Sequence, residues 1–481
     1  MSINNIISNK MWLAAGLLLS VLSSCKKDFL DVVPVDRIPK EQFYKTQADF
    51  NAAVYGIYAA QRNMYTGSEL ALYNLEETRS DNTNQDFGRQ TEHKAVDNFT
   101  AESGNTSITG MWSGAYYCIN LCNAVIGRAP DVDMDAAVKA QLVGEALFVR
   151  AQVYFLLLQD YGGVPLRLKE TISLNGNNSL ARSSVDSVYG QIIADLQTAA
   201  AGLPKNYSGA DVGRATSYAA YALLGKVLLQ KGDNAAAVTA LRNVVFTGSP
   251  YSLLPNYADL WNPNTKNSAE SIFELQFLPP LNGSPFWNFF APNSLGVPGG
   301  TNGSVAPNTP TKDLINSYEP GDTRLAASIG YDPNNIPYIL KFKDPGVKVG
   351  NDANNDFPVL RYADAMLMLA EALGETPEAY GLINQVRQRA NLGPISAATP
   401  GAFIDKLQHE RQVELAFECQ RWHDLLRMGT TKALSIMNAN LAHEFPGLGI
   451  TIDAHDLLAP MPLDEGQTNS LLTQNPGYVP F

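Results

Sequence analysis

The sequence predicts a mainly α-helical protein built from paired helices, and three observations point that way. Apolar residues recur three and four positions apart over most of the chain. Gly and Pro concentrate in two long stretches instead of punctuating the periodic segments. Two consecutive segments also meet through small residues across a three-residue turn.

The chain opens with a polar stretch whose one basic residue is Lys10, followed by an apolar run from Met11 to Leu22 and by Ser23-Ser24-Cys25. That order is a secretory signal: a charged start, a short apolar run, then small residues at a cleavage site. The run is too short for a membrane helix, which needs ~20 residues. Residues 1–24 are therefore expected to be a lipoprotein signal peptide. Cys25 matches the lipobox cysteine that carries a diacylglycerol. Each buried methylene of such an anchor contributes ~0.8 kcal/mol, and two or more chains hold where one does not.

Helices are expected at Glu41–Arg62, Met111–Arg128, Asp135–Asp160, Ser184–Ala201, Thr216–Lys231, Asn234–Val245, Arg361–Gly374, Pro377–Ala390, Ala402–Phe417 and Arg421–Arg427. Ser183 or Ser184 can cap the fourth, and Gly202 and Gly429 stop helices. Ala219–Leu229, the turn Lys231-Gly232-Asp233 and Ala235–Leu241 resemble a tetratricopeptide repeat. Arg361–Ala390 repeats the idea; such units bury their faces by stacking on neighbours.

Two regions break the helical pattern. Thr66–Gly110 is long, polar and rich in Asn, Asp and Gly, and Leu278–Pro310 holds seven Pro and five Gly, so no helix is expected there. Loops of that length tend to be functional or disordered. Phe286-Trp287-Asn288-Phe289-Phe290 puts four aromatics into five positions, which favours a packing or binding role.

Without the signal the chain carries 34 Lys and Arg against 47 Asp and Glu, a net charge of −13. That balance, without a basic block, argues against nucleic acid. Beside Cys25 there are three cysteines, too few for a disulfide framework. Cys118 and Cys122, one helical turn apart, read as packed thiols because their side chains run side by side.

Catalytic signatures are missing: the chain has no GxGxxG, GxxxxGK[ST] or GxSxG. His409-Glu410 and His443-Glu444 begin an HExxH, but Val413 and Gly447 occupy the second His position. The five histidines are scattered, so no metal site, cofactor or catalytic residue is expected. Asp131, Asp133 and Asp135 start like a calcium loop, but Ala136 and Leu142 fill its Gly and Glu positions, so they read as helix-start acids. Opposite charges three apart at Glu418, Arg421, Asp424 and Arg427 predict an ion-pair ladder along a continuous or nearly continuous helix.

Several stretches taken in order carry a resemblance. Cys25–Asp31, Trp112 with Tyr116-Tyr117, Asn120–Ile126 and Gly213-Arg214-Ala215-Thr216 belong to it. So do Asp313-Leu314-Ile315, Asp322-Thr323-Arg324, Leu360–Ala372 and Ile383–Ala390. Glu410-Arg411, Glu414–Glu418, Arg421–Arg427 and Asn475–Tyr478 complete it. Together they resemble the SusD/RagB-type nutrient-binding outer-membrane lipoproteins of the Bacteroidota. One departure is Lys26-Lys27, where related surface lipoproteins often carry acids.

The resemblance implies a SusD-like helical domain over 25–481, with an N-terminal portion about 25–230 and a C-terminal portion about 231–481, on a tetratricopeptide-like scaffold with long irregular ligand-binding loops. It implies a non-enzymatic lipoprotein, lipid-anchored at the outer membrane and facing the cell exterior. Such a protein binds an oligosaccharide and delivers it to a SusC-like TonB-dependent transporter; a peptide or other small nutrient is the alternative cargo. A surface glycoside hydrolase or a structural helical-repeat scaffold are further alternatives. The family shares no ligand motif, so the site is read from residue chemistry. A glycan site needs aromatic platforms for sugar C–H faces and amides or carboxylates for hydroxyls. Phe286, Trp287 and Phe289 are the expected platforms, unless they form an apolar cluster or touch the barrel. Asp81, Asn82, Asn84 and Asp86 are the expected hydroxyl partners, unless that loop is merely solvated. Trp112 and Trp422 are expected in the core.

Overall fold

The computed structural model describes residues 43–67, 70–85, 91–172, 179–297, 308–348 and 350–481. Cys25 and Asp86 lie outside the described residues.

The first half is a stack of helices. α1 (Gln47–Thr66) opens on a capping box, in which Thr46 and Asp49 each accept from the other's backbone N–H. A short α2 (Ala71–Tyr73) runs into a π-turn (Asn74–Thr78). α3 (Thr91–Asp97) precedes α4 (Thr106–Arg128). α5 (Ala136–Tyr161) follows Asp135, whose carboxylate accepts from the N–H groups of Ala137 and Val138. The acid therefore serves the helix start, as its position predicts. α5 is long and apolar enough to cross a membrane, yet 83% of its apolar window is buried inside the protein. It is the central core helix, packed on α1, α4 and α6 (Val185–Gly202). Trp112 and Trp422 are buried, and Cys118 and Cys122 are free buried thiols.

α7 (Ser217–Lys231) and α8 (Asn234–Leu241) form the expected pair across Gly232, which adopts a left-handed φ of 85°. Gly225 explains the small residues: a Cβ there would meet the Leu241 side chain at 2.4 Å. The helices approach through that gap. α8 ends at Leu241, short of the expected Val245.

Three two-stranded antiparallel ribbons tie in the irregular segments: β1 (Thr83–Asn84) with β3 (Thr309–Pro310), β2 (Ser271–Leu275) with β6 (Phe357–Arg361), and β4 (Ile329–Tyr331) with β5 (Pro337–Ile339). A five-residue helix, α9 (Phe286–Phe290), stands where Pro and Gly predict none. Burial of its aromatic residues overrides the local composition. α10 (Lys312–Ser317) and α11 (Thr323–Ser328) lead to the second pair, α12 (Tyr362–Leu373) and α13 (Pro377–Arg389).

α14 (Phe403–Leu415) stops short of the expected Phe417, and α15 (Arg421–Arg427) starts afresh. Between them Phe417 and Cys419 take left-handed φ values of 69° and 58°. Such backbone persists only where the surroundings enforce it. Glu77 does so, accepting from the N–H of Phe417 at 2.9 Å and of Cys419 at 2.8 Å. The continuous ladder is thus corrected to one pair, Asp424–Arg427 at 2.6 Å. Arg421 turns to Asp81, and Glu418 to Lys341 and Arg361. α16 (Thr430–Glu444) and α17 (Leu463–Thr468) complete the chain.

Candidate functional site

The two irregular segments, more than 200 residues apart, converge. Thr83 pairs with Pro310 and Asn84 with Thr309 across β1 and β3. Asn308 donates to the hydroxyls of Thr78 at 3.1 Å and Thr83 at 3.0 Å. Thr311 donates its N–H to the Asn82 carbonyl at 2.9 Å and its hydroxyl to the Asp81 carbonyl at 2.7 Å. Each bond crosses between the segments, so the junction is a built structure.

Its second component is α9. Phe286 is fully buried and stacks on Phe357 and Phe342 with ring centres 4.8 and 5.4 Å apart. Phe290 lies 5.0 Å from Tyr73, again across the two segments. Trp287 is 3% exposed and packs near Tyr338 with Ala291 and Ala353. Phe289 is half-buried, its ring 6.2 Å from that of His93 on α3. The expectation of three exposed platforms is corrected for Phe286 and Trp287: helical geometry turns them inward, and they pin the segment. Phe289 alone of the three keeps a partly open face.

The hydroxyl partners divide likewise. Asp81 is buried and holds the Arg421 guanidinium at 2.7 and 2.8 Å. Asn82 is fully buried, donating to Glu77 at 2.8 Å and accepting from Gln412 at 3.1 Å. The expected open positions of Asp81 and Asn82 are corrected: their polar groups are engaged within the protein. Asn84 is buried too and its expected open position is likewise corrected: it donates to the half-buried Glu444 at 2.8 Å and accepts from the Thr309 hydroxyl at 3.0 Å. Burial raises the Glu444 carboxyl. Beside it Asp313 meets the exposed His443 at 3.1 Å.

Glu444, Asp313 and His443 extend the rim, and sequence reasoning missed them. Their signal was the incomplete HExxH at His443-Glu444, read only as a failed metal motif. Between the start of α3, the first turns of α4 and α17, a cleft of about 620 Å³ is lined by Glu92, Thr106, Thr109, Ser113, Asp464 and Glu465. Its volume lies in the range of ligand sites, and hydroxyls with carboxylates suit a polyhydroxy ligand.

Behind the junction lies a buried charge hub. Arg361 donates to Glu418 at 2.6 Å, Glu414 at 2.7 Å and Glu270 at 2.8 Å. Arg324 reaches Glu410 at 2.6 Å and Glu414 at 3.0 Å. Burial pushes the Glu414 carboxyl up, but the charges of Arg389, Arg361 and Arg324 outweigh it and hold it well below its usual value. Burial also lowers Lys341 to about 8. The densest acidic stretch is therefore engaged in structural pairs.

Two family models match the chain: one described as "Starch-binding associating with outer membrane" over residues 28–229, and one described as "SusD family" over residues 291–478. A "SusD-like protein P2" of Formosa agariphila is 29% identical, with 96% of this chain and 98% of the relative aligned. A "SusD-like protein" of Bacteroides ovatus is 26% identical over 84% of this chain and 80% of its own. Among solved structures, a "Laminarin binding SusD-like protein" superposes with a TM-score of 0.77 at 27% identity, covering 90% of this chain and 100% of that one. Helical scaffold, sequence motifs and these likenesses agree: the chain belongs to the SusD/RagB family.

Proposed function

We propose that this protein captures oligosaccharides at the outer membrane, without hydrolysing them, on the surface where its two irregular segments join. The observation carrying this reading is the β1–β3 junction: a helical body holds a half-buried aromatic, Phe289, and a polar rim of Glu444, Asp313 and His443 on one platform. The cleft between α3, α4 and α17 offers further hydroxyl and carboxylate partners. The laminarin-binding relative supports a glycan as the ligand class. Trp287 and Phe286 hold the platform from below, and Asp81 and Asn82 anchor it to α14 and α15. Calorimetry against a polysaccharide panel tests the reading. We expect saturable binding of at least one glycan and no reducing ends after prolonged incubation; binding of peptides alone, or release of reducing ends, overturns it.

The anchor belongs to the same proposal. The signal at residues 1–24 and Cys25 fit a diacylglycerol-bearing lipoprotein facing the cell exterior, which hands its ligand to a SusC-like TonB-dependent transporter. Fatty-acid labelling that disappears in Cys25→Ala, and co-purification with a barrel transporter, are the expected results.

A further inference from the structure

Three buried side chains from three elements meet behind the junction: Glu76 from the π-turn, Asp160 from the end of α5, and His423 from α15. One donor atom from each lies within 4.8 Å of the others. Glu76 and Asp160 are at most 1% exposed and His423 is 6% exposed. No N–H or hydroxyl donor reaches either oxygen of Asp160, whose hydrogen bond is shared with the Glu76 carboxyl, and Glu76 Oε1 and His423 Nδ1 are unpartnered. His423 Nε2 is in contact with Glu76 Oε2. Buried polar atoms are almost always paired, so several under-satisfied ones in one place require an occupant or a role. A cavity of about 40 Å³, lined in part by Glu76, His423, Gln152 and Gln159, adjoins the trio and has room for a water.

We propose that Glu76, Asp160 and His423 bind one divalent cation of the zinc class, with water from the adjoining cavity as the fourth ligand. One imidazole with two carboxylates suits zinc; calcium and magnesium prefer oxygen alone. Donors around a tetrahedral ion of that size stand about 3.3 Å apart, so the ion parts the His423–Glu76 contact slightly. Arg79 fits as an outer partner: its Nη1 lies 3.8 Å from Asp160 Oδ1, while its guanidinium stacks 4.5 Å over the Trp422 ring. The π-turn leads directly into β1, so the ion would brace the platform against α5 and α15.

The purified protein, stripped by chelator and titrated with Zn²⁺ at pH 8, tests this. We expect one bound equivalent by calorimetry and mass spectrometry, a rise in Tm, and the visible spectrum of a tetrahedral site when Co²⁺ replaces zinc. Glu76→Gln and His423→Gln should each weaken binding at least tenfold. His455→Ala, in the separate group Asp453, His455 and Asp456, should leave it unchanged. Failure of the unaltered protein to bind zinc makes the trio a proton-sharing cluster and overturns the proposal, whether or not the variants fold. Binding that survives in both trio variants, or is lost in His455→Ala, overturns it equally.

Discussion

The charge hub and the loop junction use similar polar residues to opposite ends. In the hub, Arg324, Arg361 and Arg389 surround Glu414 in the interior, and each charge is satisfied by a named partner. At the junction the same economy takes in Asp81, Asn82 and Asn84 and stops at Glu444 and His443. The difference teaches that a dense cluster of charges in sequence marks a structural centre as readily as a functional one. What distinguishes them is whether water can reach the groups.

That contrast can be broken by substitution. Arg361→Ala removes one guanidinium and leaves Glu418, Glu414 and Glu270 each one cation short in the interior, so it should cost about 3–5 kcal/mol in denaturant unfolding. A cost near zero would mean that water enters the hub. Phe286→Ala empties a stacked core position and should cost about 3–4 kcal/mol, with ligand affinity lost only through unfolding.

A pH effect sharpens the distinction between buried and open carboxyls. Burial, aided by the charge of Asp356, raises Glu274 to about 7. A carboxyl whose folded pKa exceeds its unfolded value stabilises fully below about 4.5 and loses that contribution as pH rises through about 7. The unaltered protein should therefore lose roughly 2 kcal/mol relative to Glu274→Gln between pH 4.5 and pH 8. Parallel unfolding curves across that range would refute it. Phe289→Ala is the smallest and most discriminating change. We expect folding stability to shift by less than about 1 kcal/mol, and glycan affinity to fall roughly five- to tenfold through loss of ring contact. Unchanged affinity by calorimetry would remove Phe289 from the site.

Helix placement was legible because local rules decided it. Asp135, Ser184 and Thr216 cap where their side chains can reach free N–H groups, and Gly225 marks the close approach of α7 and α8. The site was half legible. Composition identified both irregular segments and the aromatic run. It did not reveal which rings face inward, because α9 forms only when Phe357, Phe342 and Tyr73 are there to receive them. The ladder at Glu418–Arg427 failed for a related reason: Glu77, from the far end of the chain, turns the backbone at Phe417 and Cys419 and redirects Arg421 to Asp81.

By itself the sequence determined the helical class, the paired units, the acidic surface charge and the family likeness, since each rests on residue type and short spacing. Tertiary structure alone decided that the two long segments share a strand pair, that Asp81 is neutralised by Arg421, and that Glu76, Asp160 and His423 meet. These outcomes depend on contacts between residues tens to hundreds of positions apart. Such contacts are set by burial and geometry, and no local pattern encodes them.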